Sequence, residues 1–264
     1  MKATPKSLGI AGLILGLGAA GPASAIEAGS AVAVSFTCRM TDGTVAASTE
    51  PSWSQEGVKG LAPIFLKPAK PGPVTLTAGA TVRLNPEAGF EEAVQAYLAA
   101  ELPAAPLGQP WTVTIEDPPR SAGGQVIKLA RVRKRPKEER MTADEYNRRT
   151  GKTPAVGASH TIDPAVPGTI TAVGQDGQVT IVYTAAPGTP LTTPFGPAVI
   201  RDGGQTWEIV IDAQPGRLVR VGPLVGRITE TAEETFTADF SQPLAGEALT
   251  CEVTAQPERK ANSE

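Results

Sequence analysis

Histidine and cysteine are nearly missing from this chain: one His and two Cys stand among 264 residues. A single histidine cannot build a histidine metal cluster, and the two cysteines lack the spacing of a zinc knuckle, so no metal is expected. No glycine-rich segment of the kind that opens a helix after a strand is present to cradle a phosphate, and no cofactor is expected either. His160 stands alone in a Gly-Ala-Ser-His-Thr loop, which makes a serine or cysteine triad a weak reading and leaves no residue assigned to catalysis. Positive charge is not in excess: 24 Lys and Arg face 27 Asp and Glu, a net of −3. A nucleic-acid binder needs a concentrated positive field, so nucleic acid is not an expected partner. Aromatic residues are few, at 5%.

What is present suffices for a core, since 41% of the residues are hydrophobic. The 28 Gly and 25 Pro together make about a fifth of the chain, short of a low-complexity composition. The first residues read as a secretory signal. Lys2 and Lys6 supply the charged start, Leu8 to Ala20 an apolar run, and Ala23-Ser24-Ala25 a small-x-small cleavage site. That run is too short and too rich in Gly for a spanning helix, and no later stretch is long enough to anchor the chain, so no stable membrane insertion is expected. Cleavage after Ala25 leaves 239 residues with a net charge of −5 in a secreted or periplasmic location, where disulfides persist.

Val32, Val34, Phe36, Cys38 and Met40 alternate with mostly polar or small residues and predict a half-buried strand that ends at the Asp42-Gly43 turn. A short strand follows over Thr44 to Ala47. The Pro-, Gly- and Lys-rich stretch from Glu50 to Gly72 reads as a loop, and Gly72 to Gly79 contains another brief strand. Phe90, Val94, Tyr97 and Leu98 then recur at helical spacing, and the helix is expected to end near Glu101 because Pro103 lies just beyond. Trp111 to Ile115 returns to strand. From Lys128 to Lys152 ten basic residues stand against four acidic ones. This run is read as a solvated face carrying a short helix that opens on the capping box Thr142-Ala143-Asp144-Glu145 and stops at Gly151. Beyond it, Asp176-Gly177 and Asp202-Gly203 each sit between apolar alternations, the signal of a tight hairpin. Val219 to Val225, Ile228 to Thr231, Phe236 to Phe240 and Leu249 to Ala255 continue as strands, and Gln256 to Glu264 is a polar tail.

Three segments resemble one family. Val34-Ser-Phe-Thr-Cys-Arg-Met-Thr-Asp-Gly43, Gly89-Phe-Glu-Glu-Ala-Val94, and Asp239-Phe-Ser-Gln-Pro-Leu-Ala-Gly246 with Leu249-Thr-Cys-Glu-Val253 are similar to the FKBP-type peptidyl-prolyl cis-trans isomerases. The likeness is to the long, SlyD-like members with a domain inserted in the flap. It implies an α+β fold, an FKBP-like antiparallel sheet wrapped on one helix with an inserted all-β domain. Residues 1–25 are the signal, 26–128 with 238–257 the FKBP-like domain, 129–237 the β-rich insert, and 258–264 the tail. The function implied is that of an exported folding factor acting on unfolded or proline-containing polypeptides. The alternative is a non-catalytic chaperone or peptide-binding module.

The resemblance places a substrate pocket at Phe36, Ala46, Ala47, Val74, Phe90, Ala122 and Cys251. Phe36 and Phe90 keep a ring. Ala46, Val74 and Cys251 stand where the family has aromatic residues, Ala47 where it has an Asp, and Ala122 where a Tyr is common, so weak catalysis is expected. In the implied fold the strands of Cys38 and Cys251 are neighbours. A disulfide between them and a pair of buried free thiols are both open readings.

Overall fold

The computed structural model describes residues 25–82, 88–116 and 125–257. The expected strand is β1 (Ala31–Arg39), whose Val32, Val34, Phe36 and Cys38 are buried on one face. β2 (Val45–Ser48) and β3 (Val74–Thr77) both pair with β1 antiparallel. The helix α1 (Phe90–Glu101) buries Phe90, Ala93, Val94, Leu98 and Ala99, the face that the spacing predicts. β4 (Pro110–Ile115) closes the first half of the chain. The last strand, which pairs with both β4 and β1, completes a sheet in the order β2, β1, last strand, β4, with β3 beside β1. One hydrophobic core joins this sheet to α1, to Ile64 from the loop after β2, and to Leu244 and Ala245.

Between these ends the chain repeats itself. β5 (Val126–Ala130), β6 (Val132–Pro136) and β7 (Glu138–Thr142) follow one another, each starting six residues after the last. The helix α2 (Ala143–Thr150) comes next; the Thr142 hydroxyl accepts the Glu145 amide at 3.1 Å and Gly151 caps its end in the left-handed conformation. Three meanders of three strands come after it. They are β8 (Ser159–Asp163), β9 (Val166–Val173) and β10 (Gln178–Tyr183), then β11 (Pro190–Thr193), β12 (Gly196–Asp202) and β13 (Thr206–Ile211), then β14 (Leu218–Val221), β15 (Leu224–Thr231) and β16 (Thr235–Asp239). β17 (Leu249–Pro257) is the closing strand.

The third strand of each meander takes one of the first three strands as its partner, in reverse order: β10 pairs β7, β13 pairs β6 and β16 pairs β5. Register repeats too, since Gln178 faces Thr142, Thr206 faces Pro136 and Thr235 faces Ala130, partners spaced by six. Before each meander a turn places Gly157, Gly188 and Gly216 in the left-handed region, and their amides bond the carbonyls of Ile170, Ile200 and Ile228, each at 2.8 Å. Those three isoleucines are buried at equivalent positions on the middle strands. A second core, containing Ile170, Ile209, Ile228 and Phe236, joins the three sheets. In the first and third repeats a glycine makes room for a ring. A Cβ at Gly168 would lie 2.8 Å from the Tyr183 ring, and one at Gly226 2.5 Å from that of Phe240.

Several expectations are corrected here. The chain is mostly β, with seventeen strands in four antiparallel sheets and α-helices of only 12 and 8 residues among the described residues, and not an α+β fold wrapped on one helix. The basic run does carry the short helix, but Lys128 to Thr142 forms strands, because every second residue can reach solvent while the backbone pairs with a meander. Val219 to Val225 is two strands: Gly222 adopts φ +58° and the chain reverses at Gly222-Pro223. At the Asp202-Gly203 signal, the left-handed residue is Gly204. His160 lies on a strand, β8, and not in a loop. The signal up to Ser24, Ala122 and the tail 258–264 lie outside the described residues.

Cys38 and Cys251 face each other across β1 and β17 and are joined by a disulfide. It closes a loop of 213 residues, for which the chain-entropy model gives a stabilisation on the order of 5 kcal/mol. Thiol labelling of the denatured, unreduced protein is therefore expected to add no label, and Cys38→Ala with Cys251→Ala to lower the urea midpoint substantially. Two labels per chain would show that the bond does not form.

Candidate functional site

The first core gathers most of the residues that the family resemblance points to. Phe36 on β1, Ala46 and Ala47 on β2, Phe90 at the start of α1 and Cys251 on β17 all belong to it, and Val74 on β3 packs against it, half buried. Ala122 lies outside the described residues. None of the five fully packed residues is more than 4% exposed, so they do not line an open cage. Phe36 is fixed further by its backbone, since its amide donates to the Thr49 hydroxyl at 2.9 Å.

The start of α1 is completed from far along the sequence. α1 begins at Gly89, which has no side chain to satisfy the free amides of the first turn. The Phe90 amide donates instead to the carbonyl of Pro223, at 3.0 Å, in the turn between β14 and β15. Contact is close. A Cβ at Gly89 would sit 3.0 Å from the Pro223 Cβ and 3.4 Å from its carbonyl oxygen. Val225 enters the first core beside this contact and Leu218 packs against it.

Arg220 holds the same turn from the side. Its Nη1 donates to the Ile64 carbonyl at 2.5 Å, its Nη2 to Glu91 Oε2 at 2.5 Å and its Nε to the Gly222 carbonyl at 3.1 Å. The guanidinium carbon stands 5.9 Å from the centre of the Phe90 ring, within range of a cation–π contact. The Arg220 side chain is only 11% exposed, so this charge is largely removed from water and needs these partners to be tolerated. Glu91 also lies in the first turn of α1, where a negative charge is favoured by the helix dipole.

Open apolar space lies beside this junction. A groove of about 730 Å³ runs between Pro63, the turn Thr192 to Pro197, and Leu218 and Arg220 of β14. β11 and β14 are each the outer strand of their sheet, so their outward backbone groups have no strand partner among the described residues.

His160 belongs to a different cluster. It is buried, 5.4 Å from the Tyr146 ring and 6.2 Å from that of Tyr183, and its Nε2 has no partner among the described residues. The Tyr183 hydroxyl donates to Glu139 Oε2 at 2.8 Å, and Arg149 pairs with Glu139 in turn. No group of His, Cys, Asp and Glu among the described residues could hold a metal ion. No described helix is long and apolar enough to cross a membrane.

No protein-family model matches the chain, and no curated protein matches it in sequence. The reading of the site therefore rests on its geometry. Sequence reasoning found Phe90 but missed Arg220, Pro223 and the groove. A signal was available: Ala-x-Pro-Gly ends at Gly188 and again at Gly216, 28 residues on, and Pro-Ala-Val-Gly157 stands 31 residues before the first, the mark of an internal repeat with a turn at the start of each unit.

Burial, and then the hydrogen bond to the Glu139 carboxylate, push the Tyr183 phenol well above its ordinary value. A raised pKa means that the folded state holds this proton more tightly than the unfolded chain does. The resulting stability is full below about pH 10 and is lost as pH rises beyond it. Chemical denaturation between pH 8 and 11 is expected to show this alkaline decline in the wild type and a shallower one in Tyr183→Phe. Equal slopes would remove Tyr183 as its source.

Proposed function

We propose that the protein is a folding factor for exported polypeptides, which binds proline-containing segments at the Phe90 end of α1 and speeds their cis/trans exchange weakly. One observation carries the reading: this site already holds a Gly-Pro segment, Gly222-Pro223, with its carbonyl on the Phe90 amide and its ring against Gly89. A site that accepts one such segment has the shape, the donor and the dryness to accept another.

The chemistry needs no nucleophile and no cofactor. Rotation about the X-Pro bond is slow because partial double-bond character imposes a barrier of about 18–20 kcal/mol. A surface lowers that barrier when it holds the twisted amide better than the planar one. Here the Phe90 ring would supply an apolar floor and its amide a fixed donor to the prolyl carbonyl, while the core around them excludes water. Ala46, Ala47 and Cys251 are too small or too occupied to complete a cage around the substrate ring, which supports weak catalysis.

The groove favours a second reading, a holding module without catalysis. An extended chain could add to the free edge of β11 or β14 while its apolar side chains lie against Pro63, Pro194 and Leu218. Two assays on the same protein separate these readings. In proline-limited refolding the wild type is expected to give a small acceleration that Phe90→Leu lowers about tenfold, equivalent to about 1.4 kcal/mol of transition-state binding. In aggregation suppression, Thr192→Asp with Pro194→Asp, both at exposed positions, is expected to reduce holding without changing the refolding rate. A wild type active only in suppression supports the second reading, and one inactive in both rejects the two together.

A further inference from the structure

We propose that the turn Val221-Gly222-Pro223-Leu224 is a built-in competitor for the Phe90 site, latched there by Arg220, and that the site admits other proline segments only when this turn lifts. This rests on the proline-binding reading above.

The repeats supply the argument. Each meander has a turn between its first and second strands: Pro164-Ala165 in the first, Pro194-Phe195 in the second, and Gly222-Pro223 in the third. The first two turns stay with their own core. Ala165 packs against the second core, and the Phe195 ring lies 5.1 Å from that of Phe236. The third turn lies between the two cores: Leu224 still packs against the second, whereas the Pro223 carbonyl reaches the Phe90 amide and Val225 just after it is buried in the first. Two copies of the unit thus form without any contact of this kind, so docking on α1 is an addition to the repeat and not a condition for folding it.

Beside the burial of Val225 in the first core and the packing of Leu224 on the second, the polar contacts that hold the turn are few: the Phe90 amide to the Pro223 carbonyl, and the Arg220 guanidinium bridging Glu91, the Ile64 carbonyl and the turn's own Gly222 carbonyl, with Pro223 against Gly89. The same amide is the donor that an incoming prolyl carbonyl would need, so the two occupants exclude each other. Lifting the turn returns Glu91 and the Ile64 carbonyl to water, where both are readily solvated. A competitor of this kind keeps the Phe90 amide occupied until a client displaces it, and reduces the apparent affinity by the fraction of molecules that are open.

Two variants release the latch by different routes. Arg220→Ala removes the guanidinium, and Glu91→Gln removes the charge with which it pairs, while both leave Gly89 open to a client proline. Each is expected to raise the efficiency of proline-limited refolding at least tenfold and to speed hydrogen exchange at Gly222 and Leu224. In the wild type, a saturating Ala-Gly-Pro-Leu tetrapeptide is expected to speed exchange at those amides while the Phe90 amide stays protected. Variants whose turn exchanges faster but which act no faster than the wild type would overturn the competitor. So would peptide binding that leaves exchange at the turn unchanged, and in both cases a wild type that speeds refolding keeps the Phe90 reading intact. If neither the wild type nor the released variants bind the tetrapeptide, both proposals fail. Should the variants not fold, the exchange experiment on the wild type decides alone.

Discussion

Antiparallel pairing of β1 with β17 is the constraint on which the remaining structure depends. The register from Val32 opposite Pro257 to Arg39 opposite Thr250 joins residues more than two hundred positions apart, and the Cys38–Cys251 bond ties the two strands covalently. Bringing such distant segments together costs loop-closure entropy, which grows slowly with length. Once the ends are joined, everything between them must leave the sheet and return close to where it left. Nested pairing satisfies this: the outgoing strands β5, β6 and β7 are matched in reverse by the returning β10, β13 and β16, so the chain folds back along its own path. The last meander to form in chain order is then the one that lies beside the end sheet and can touch α1.

This arrangement explains why the candidate site is made of residues with no sequence proximity. Phe90 and Glu91 come from the first half, Ile64 from the loop after β2, and Arg220 and Pro223 from the third repeat. Gly89 is the meeting point. Its missing side chain leaves a helix amide uncapped and leaves space for a proline, and the same turn fills both vacancies. The buried Arg220 charge adds orientation more than net stability, since desolvating a guanidinium offsets much of its attraction to Glu91.

The strand of Val32 to Met40 and the helix from Phe90 were legible because one face of each is buried and the other is not, so periodicity survives in the sequence. The hairpin at Gly222-Pro223 was not. Val219, Val221 and Val225 look like one continuous strand, and only the positive φ of Gly222 and the register of Val221 opposite Leu224 show the reversal. The basic run misled for a related reason. Charged residues such as Lys134 and Arg135 sit on strands whose stability comes from backbone pairing with β13, a partner some seventy residues away that no local pattern announces. Among the residues of the expected pocket, Phe90 and Phe36 were legible as apolar positions, but whether they faced a cavity or a packed interior was not.

By itself the sequence determined the local elements with a single buried face, glycine turns such as those at Gly43, Gly151 and Gly177, and a poverty in histidine and cysteine that leaves no histidine cluster and no zinc-knuckle spacing. These follow from short-range sterics and from the period of the side chains along the backbone. Tertiary structure alone decided that the chain is mostly β, that the two cysteines meet, that three meanders share one plan, and that the Pro223 carbonyl accepts from the Phe90 amide. Each of those depends on which distant strands pair, and pairing is selected by the summed burial and hydrogen bonding of the whole chain.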